Sequence, residues 1–228
     1  MPNAKRPDIA PSRPMTINEV FAVTEIPAHK IVRMINDAVL PASVCLTRGK
    51  NKALRAYSMP MTIFGANEAE ALSKRTRNEI MRLVGNFTRK NWRRLLEDSE
   101  NAENLRYENG NLAIDLGNAV RDAMAGLKRL ISAREQIVED PNMRGGIPTI
   151  RGTRIGVYEI SGLRKNEDLV TILKHYPSLW REHVELATLY EKAYPMIRSK
   201  TSSAKSRAKE YPGSRLIMEK VVEMSRPA

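Results

Sequence analysis

The sequence predicts a mainly α-helical protein with small β-hairpins. We read it as an N-terminal winged helix-turn-helix followed by a small C-terminal helix-turn-helix-like domain. Three observations carry this reading. Near the start, apolar residues recur at helical spacing in two short segments joined by a proline-containing turn. Glycine turns flanked by alternating apolar residues then mark hairpins, most clearly around Asn109-Gly110. Aromatic residues make up only 5% of a chain that is 42% hydrophobic, which suits a helix-rich protein with a modest core.

Residues 1–14 contain four prolines and no periodic apolar pattern, and are expected to form a flexible arm. Its Lys5, Arg6 and Arg13 either follow DNA phosphates or stay idle. Residues 15–60 are expected to be the winged helix-turn-helix. Thr16 and Glu19 have the spacing of a capping box, and Ile17, Val20 and Phe21 face inward behind them. Pro27 suits the first turn of the next helix, where Ile31, Ile35 and Val39 recur every fourth residue. Leu40-Pro41 ends that helix. Val44 and Leu46, then Arg48-Gly49-Lys50-Asn51, then Leu54 and Tyr57 read as strand, basic turn and strand, the wing.

Residues 61–134 are expected to be a helical linking region with a small hairpin. Residues 68–97 are helical in pattern, and Lys74 to Arg94 hold eight basic residues against one acid, Glu79. The hairpin centres on Glu108-Asn109-Gly110, and a long helix near 115–133 follows with Val120, Met124, Leu127, Leu130 and Ile131 on its apolar face. Asp140-Pro141 and Gly145-Gly146 mark a boundary loop inside a second unit, residues 135–195. There Gly152-Thr153-Arg154 reads as a hairpin turn, with Arg154 expected in a salt bridge. Three helices should follow, the second capped by Asp168 and the last by Ser178. Residues 196–228 form a tail with eight basic and three acidic residues, too polar for a core of its own.

The formal net charge of +12 points to a polyanionic partner, and nucleic acid is the first candidate. Cys45 is the only cysteine, which excludes an intramolecular disulfide and a four-cysteine zinc site. His29, His175 and His183 are the only histidines and lack metal-type spacing, so no metal is expected. No nucleophile motif or phosphate-binding loop stands out, so neither a cofactor nor enzymatic activity is expected. No stretch reaches the roughly 18 apolar residues needed to span a bilayer, and we expect a cytoplasmic protein with no membrane partner.

In a helix-turn-helix the second helix enters the major groove with its first residues on base edges. Ala28, His29, Lys30 and Arg33 are the candidates for that contact. Thr16 and the wing residues Arg48, Lys50, Lys52 and Arg55 are candidates for phosphates, which fix register rather than read sequence. The low aromatic content argues against an RNA-binding adaptor, since readout of single strands leans on stacking.

The segment TINEVFAVTEIPAHKIVRMINDAVLP resembles the opening helix-turn-helix of MerR-like regulators at Thr16, Ile17, Val20, Pro27, Arg33, Leu40 and Pro41. That resemblance implies a DNA contact for Arg33. The chain departs from it at Val39, where the family usually has glycine. Residues 137–195 are similar to the family catalogued as domain of unknown function 433, through Asp140-Pro141, Gly146, Pro148, Gly152-Thr153-Arg154, Val157 and Tyr176-Pro177. Such proteins resemble antitoxins of the VapB type. The resemblance implies a homodimer that binds double-stranded DNA at its own promoter and neutralises a cognate PIN-like ribonuclease toxin. Arg198, Lys200, Lys205 and Arg207 of the tail would then meet the toxin. The alternative is a stand-alone MerR-like transcription regulator without a toxin.

Overall fold

Thr16 starts the first helix because its side chain and Glu19 satisfy each other's backbone. Thr16 Oγ1 accepts from the Glu19 amide at 3.2 Å, and the Thr16 amide donates to Glu19 Oε2 at 2.8 Å. α1 (Ile17–Thr24) stops at Glu25, whose left-handed φ of 59° turns its amide onto Phe21 O. Pro27 then leads into α2 (Ala28–Asn36), which buries Ile31 and Met34. α2 ends before Val39, because Ala38 takes a φ of 50°. Val39 packs against the core from the following loop. The computed structural model describes residues 9–49, 51–68, 71–102 and 105–196.

The expected hairpin is present as β2 (Cys45–Arg48) and β3 (Asn51–Arg55), but it belongs to a three-stranded antiparallel sheet. The third strand is β1 (Pro14–Thr16), which pairs with β3 so that Met15 faces Leu54 and both are fully buried. Residues 9–14, the second half of the expected arm, are therefore packed. Ile9 is fully buried, its carbonyl accepts from Trp92 Nε1 at 2.8 Å, and the Pro11 carbonyl accepts from the Tyr57 amide at 3.0 Å. Tyr57 lies in a 3-10 turn after β3 rather than in the strand.

Residues 61–134 supply much of the core. α3 (Met59–Asn67), α4 (Lys74–Lys90) and α5 (Trp92–Glu97) lead to the hairpin of β4 (Arg106–Asn109) and β5 (Leu112–Asp115). α6 (Gly117–Gln136) follows, and its Val120, Met124, Leu127 and Leu130 are fully buried. Each such side chain contributes about 1.5–3 kcal/mol. α6 packs on α1 closely enough that a Cβ on Gly126 would lie 2.1 Å from Val23 O.

A second cluster of buried residues gathers Ile137, Ile150, Val157, Ile160, Ile172, Val184 and Ala187. These come from β6 (Ile137–Val138), β7 (Thr149–Ile150), α7 (Val157–Leu163), α8 (Leu169–His175) and α9 (Arg181–Ala193). β7 pairs with β6, not with a strand after Gly152. Gly152 has the expected left-handed φ, 76°, but it turns the chain tightly back onto β7, with Ile150 N donating to Ile155 O at 3.0 Å. Asp168 caps α8 as expected, accepting from the Thr171 amide at 2.7 Å. α9 starts later than Ser178 implied, with Trp180 at its cap and His183 Nδ1 accepting from the Trp180 amide at 3.3 Å. Leu189 and Tyr194 touch both clusters, which lie in one unit ending at Pro195. The protein is thus mainly helical with small antiparallel sheets.

Candidate nucleic-acid interface

α2 is amphipathic along one edge. With Ile31 and Met34 turned into the core, His29 and Arg33 face solvent and Ala28 and Lys30 are half-buried. The Arg33 side chain is 77% exposed, and its Nε lies 3.3 Å from Asp37 Oδ2 one turn later. An exposed pair of this kind is weak, about 0.3–0.5 kcal/mol, so Arg33 is available to a stronger anion. Lys30 is committed inward. Its Nζ donates to Ala66 O at 2.7 Å, in the last turn of α3, where the ammonium also meets the negative end of the helix dipole.

Thr16 is exposed, and its hydroxyl is already the cap acceptor of α1. The Glu19 carboxylate beneath it is 2% exposed yet fully engaged. Besides the Thr16 amide it accepts from Arg13 Nη2 at 2.8 Å and from Tyr194 Oη at 2.7 Å. Arg13, read from the sequence as idle or phosphate-bound, is therefore an internal partner of Glu19. The contact from Tyr194 ties the end of α9 to the start of α1. Burial, and then the hydrogen bond to Glu19, push the Tyr194 phenol up to about 12.

In the hairpin, Lys52 Nζ donates to Asn36 Oδ1, which fastens β3 to the last residue of α2. Arg55 Nε donates to Ser43 O at 3.2 Å and Nη1 to Ser12 O at 3.4 Å, so the half-buried Arg55 holds the sheet's edge loops together. The Arg48 backbone ends β2, opposite Asn51. The Arg48 side chain and Lys50 lie outside the described residues, as do Lys5, Arg6 and the tail candidates Arg198, Lys200, Lys205 and Arg207. Cys45, on the same hairpin, has its thiol pushed up by burial, with Lys52 opposing.

The structure adds one basic residue that motif spacing did not single out. Arg77, on the first turns of α4, lines a groove with His29, Lys30, Arg33, Met34, Asp37, Val39 and Gly65. The surplus of basic residues over 74–94 was the only signal for it. Elsewhere on α4, Lys74, Arg75, Arg82, Arg89 and Lys90 are exposed. The acid among them, Glu79, accepts from Tyr107 Oη at 2.6 Å and from Arg75 Nε at 3.1 Å, and these bonds hold it below the usual carboxylate range.

The second cluster carries its own polar network. Arg144 Nη1 donates to Glu159 Oε2 at 3.0 Å and to Arg154 O at 3.1 Å, and Tyr176 Oη donates to Glu159 Oε1 at 2.8 Å. Among the described residues Arg144, not Arg154, thus makes the ion pair with Glu159, and Arg154 is exposed. Tyr190 Oη donates to Glu139, and Ser161 and Lys165 share Glu191. His175 Nδ1 sits 3.9 Å from Glu167 Oε2, while His183 serves the α9 cap, so the two histidines have separate partners. Among the described residues no three His, Cys, Asp or Glu side chains gather as metal ligands, and no helix is long and apolar enough to cross a membrane.

Residues 137–190 match the family described as protein of unknown function (DUF433), which agrees with the resemblance read from Asp140-Pro141 through Tyr176-Pro177. Over 185 residues the chain is 29% identical to uncharacterized protein y4eO of Sinorhizobium fredii (strain NBRC 101917 / NGR234), covering 78% of this chain and 80% of that protein. That span is wider than the family match, so the likeness includes much of the first core as well. No solved structure matches.

Proposed function

We propose that the chain is a DNA-binding regulator, with residues 15–60 acting as a winged helix-turn-helix whose α2 enters the major groove. One observation carries this reading. α2 turns His29 and Arg33 outward while Lys52 fastens the hairpin to the end of the same helix, so reading helix and wing keep a fixed relation. The net charge of +12 supports it, since phosphate contacts dominate affinity for DNA. Within that role we read the chain as an antitoxin that neutralises a PIN-like ribonuclease, binds its own promoter as a homodimer, and uses its basic tail on the toxin. This second step rests on the resemblance to VapB-type antitoxins read from residues 137–195; the family matched over residues 137–190 is itself of unknown function.

Fluorescence anisotropy with duplex DNA from the chain's own promoter tests the first step. Tight, salt-sensitive binding is expected, and Arg33→Ala should cost about 1–3 kcal/mol if Arg33 reads a base. Equal affinity of variant and wild type would remove α2 as the reading helix. Co-expression with the adjacent reading frame tests the second step. Toxicity of that frame, relieved by this protein, is the expected result, and its absence would leave a stand-alone regulator.

A further inference from the structure

The groove between α2 and α4 has a volume of about 420 Å³, enough for a phosphate group with several waters at about 30 Å³ each. Three full positive charges line it, from Lys30, Arg33 and Arg77, against the one negative charge of Asp37. Two of these cations are already engaged: Lys30 Nζ donates to Ala66 O, and Arg33 pairs with Asp37. Arg77 is different. It is half-buried, and its Nε is shielded from solvent without a hydrogen-bond partner among the described residues. A buried guanidinium N–H is ordinarily paired, because water no longer reaches it and nothing else repays its lost hydration. The half-buried Arg77 side chain on the groove wall and the positive surplus together suit the groove to an anion.

We propose that this groove is an anion site that takes one backbone phosphate of duplex DNA, with Arg77 as the residue that holds it. The inference rests on the DNA-binding reading above and extends it to a residue outside the helix-turn-helix and its wing. A guanidinium suits the role because its planar fork meets two phosphate oxygens at once. The position suits it as well. His29 and Arg33 of α2 line the same groove, so a strand whose bases meet those residues passes its phosphates along the groove's mouth. The phosphate would also draw Arg33 from Asp37. Arg77 would thereby set the depth and register of α2 without reading a base.

The test is the salt dependence of duplex binding by the full chain, for wild type, Arg77→Gln and Arg77→Lys. Each phosphate contact contributes about 0.9 to the slope of log affinity against log salt, so Arg77→Gln should lower the slope by about 0.9 at every DNA sequence tried. Arg77→Lys should keep most of it. A purely structural arginine would change stability and leave the slope alone. An unchanged slope for Arg77→Gln, with wild type binding, overturns the inference and leaves the DNA-binding reading intact. A second measurement needs no variant: the Nε–Hε resonance of Arg77 in the wild-type chain is followed during titration with inorganic phosphate. A saturable shift at millimolar phosphate supports the anion site, even if the chain binds no duplex and the DNA reading fails. No shift of that resonance in phosphate, for a chain that binds no duplex, overturns it.

Discussion

Replacing Gly126 with alanine sets two effects of opposite sign against each other. In the middle of an exposed helix the change would gain about 1 kcal/mol, because alanine loses less backbone entropy on folding. At Gly126 the added Cβ would meet Val23 O at 2.1 Å, Val23 C at 2.9 Å and Val23 Cα at 3.2 Å. All three are backbone atoms of α1, so no rotamer can move aside. α6 and α1 must separate by roughly an ångström, which loosens the buried contacts beside them. Overpacking of this kind costs about 3 kcal/mol or more, so a net loss of about 2 kcal/mol is expected. For a domain of this size that lowers the melting temperature by about 4–8 °C. Gly162 is the internal control. It also lies in a helix, α7, but a Cβ there would meet nothing within 4 Å. Gly162→Ala should therefore hold or raise stability by up to about 1 kcal/mol. Urea unfolding of both variants decides the matter. If Gly126→Ala is as stable as wild type, or both variants shift alike, the close crossing of α1 and α6 is wrong.

Two expectations concern pH. Tyr194 has its folded pKa raised to about 12 from 10.0, so the stability from its neutral phenol is complete below pH 10 and is lost as pH rises through the folded value. Tyr194→Phe should flatten the fall in stability between those two values, measured by urea unfolding, and an unchanged alkaline profile would contradict the contact with Glu19. Glu159 is shifted the other way. The hydrogen bond from Tyr176, and then Arg144, hold it below 4.5, so its contribution is present above 4.5 and disappears as pH falls through the lowered folded value. Tyr176→Phe should lose less stability on acidification than wild type, and an identical acid profile would remove that assignment.

Much of the local structure is legible in the residues alone. The capping box of Thr16 and Glu19, the cap at Asp168, the wing-like hairpin and the Asn-Gly hairpin each depend on side chains or turns within a few positions of one another. The same holds for residues 135–195, whose turn and glycine pattern fall where the family match lies. The candidate interface was legible only in part. The spacing of Ile31 around α2 shows that Arg33 and His29 face away from the core, but not that Lys30 is taken by Ala66 O.

What the sequence determined by itself is the helical class, the basic character and the order of caps and turns, because these depend on composition and short-range spacing. Only the tertiary structure decided where Ile9 and Arg13 go, since the Ile9 carbonyl meets Trp92 far along the chain and the Arg13 carbonyl accepts from the Ala56 amide just beyond β3. It also decided that α6 is the centre of the core rather than a link, and that Arg77 lines one groove with α2. Those outcomes depend on which helix faces meet, and periodicity shows that a face is apolar without saying what will cover it.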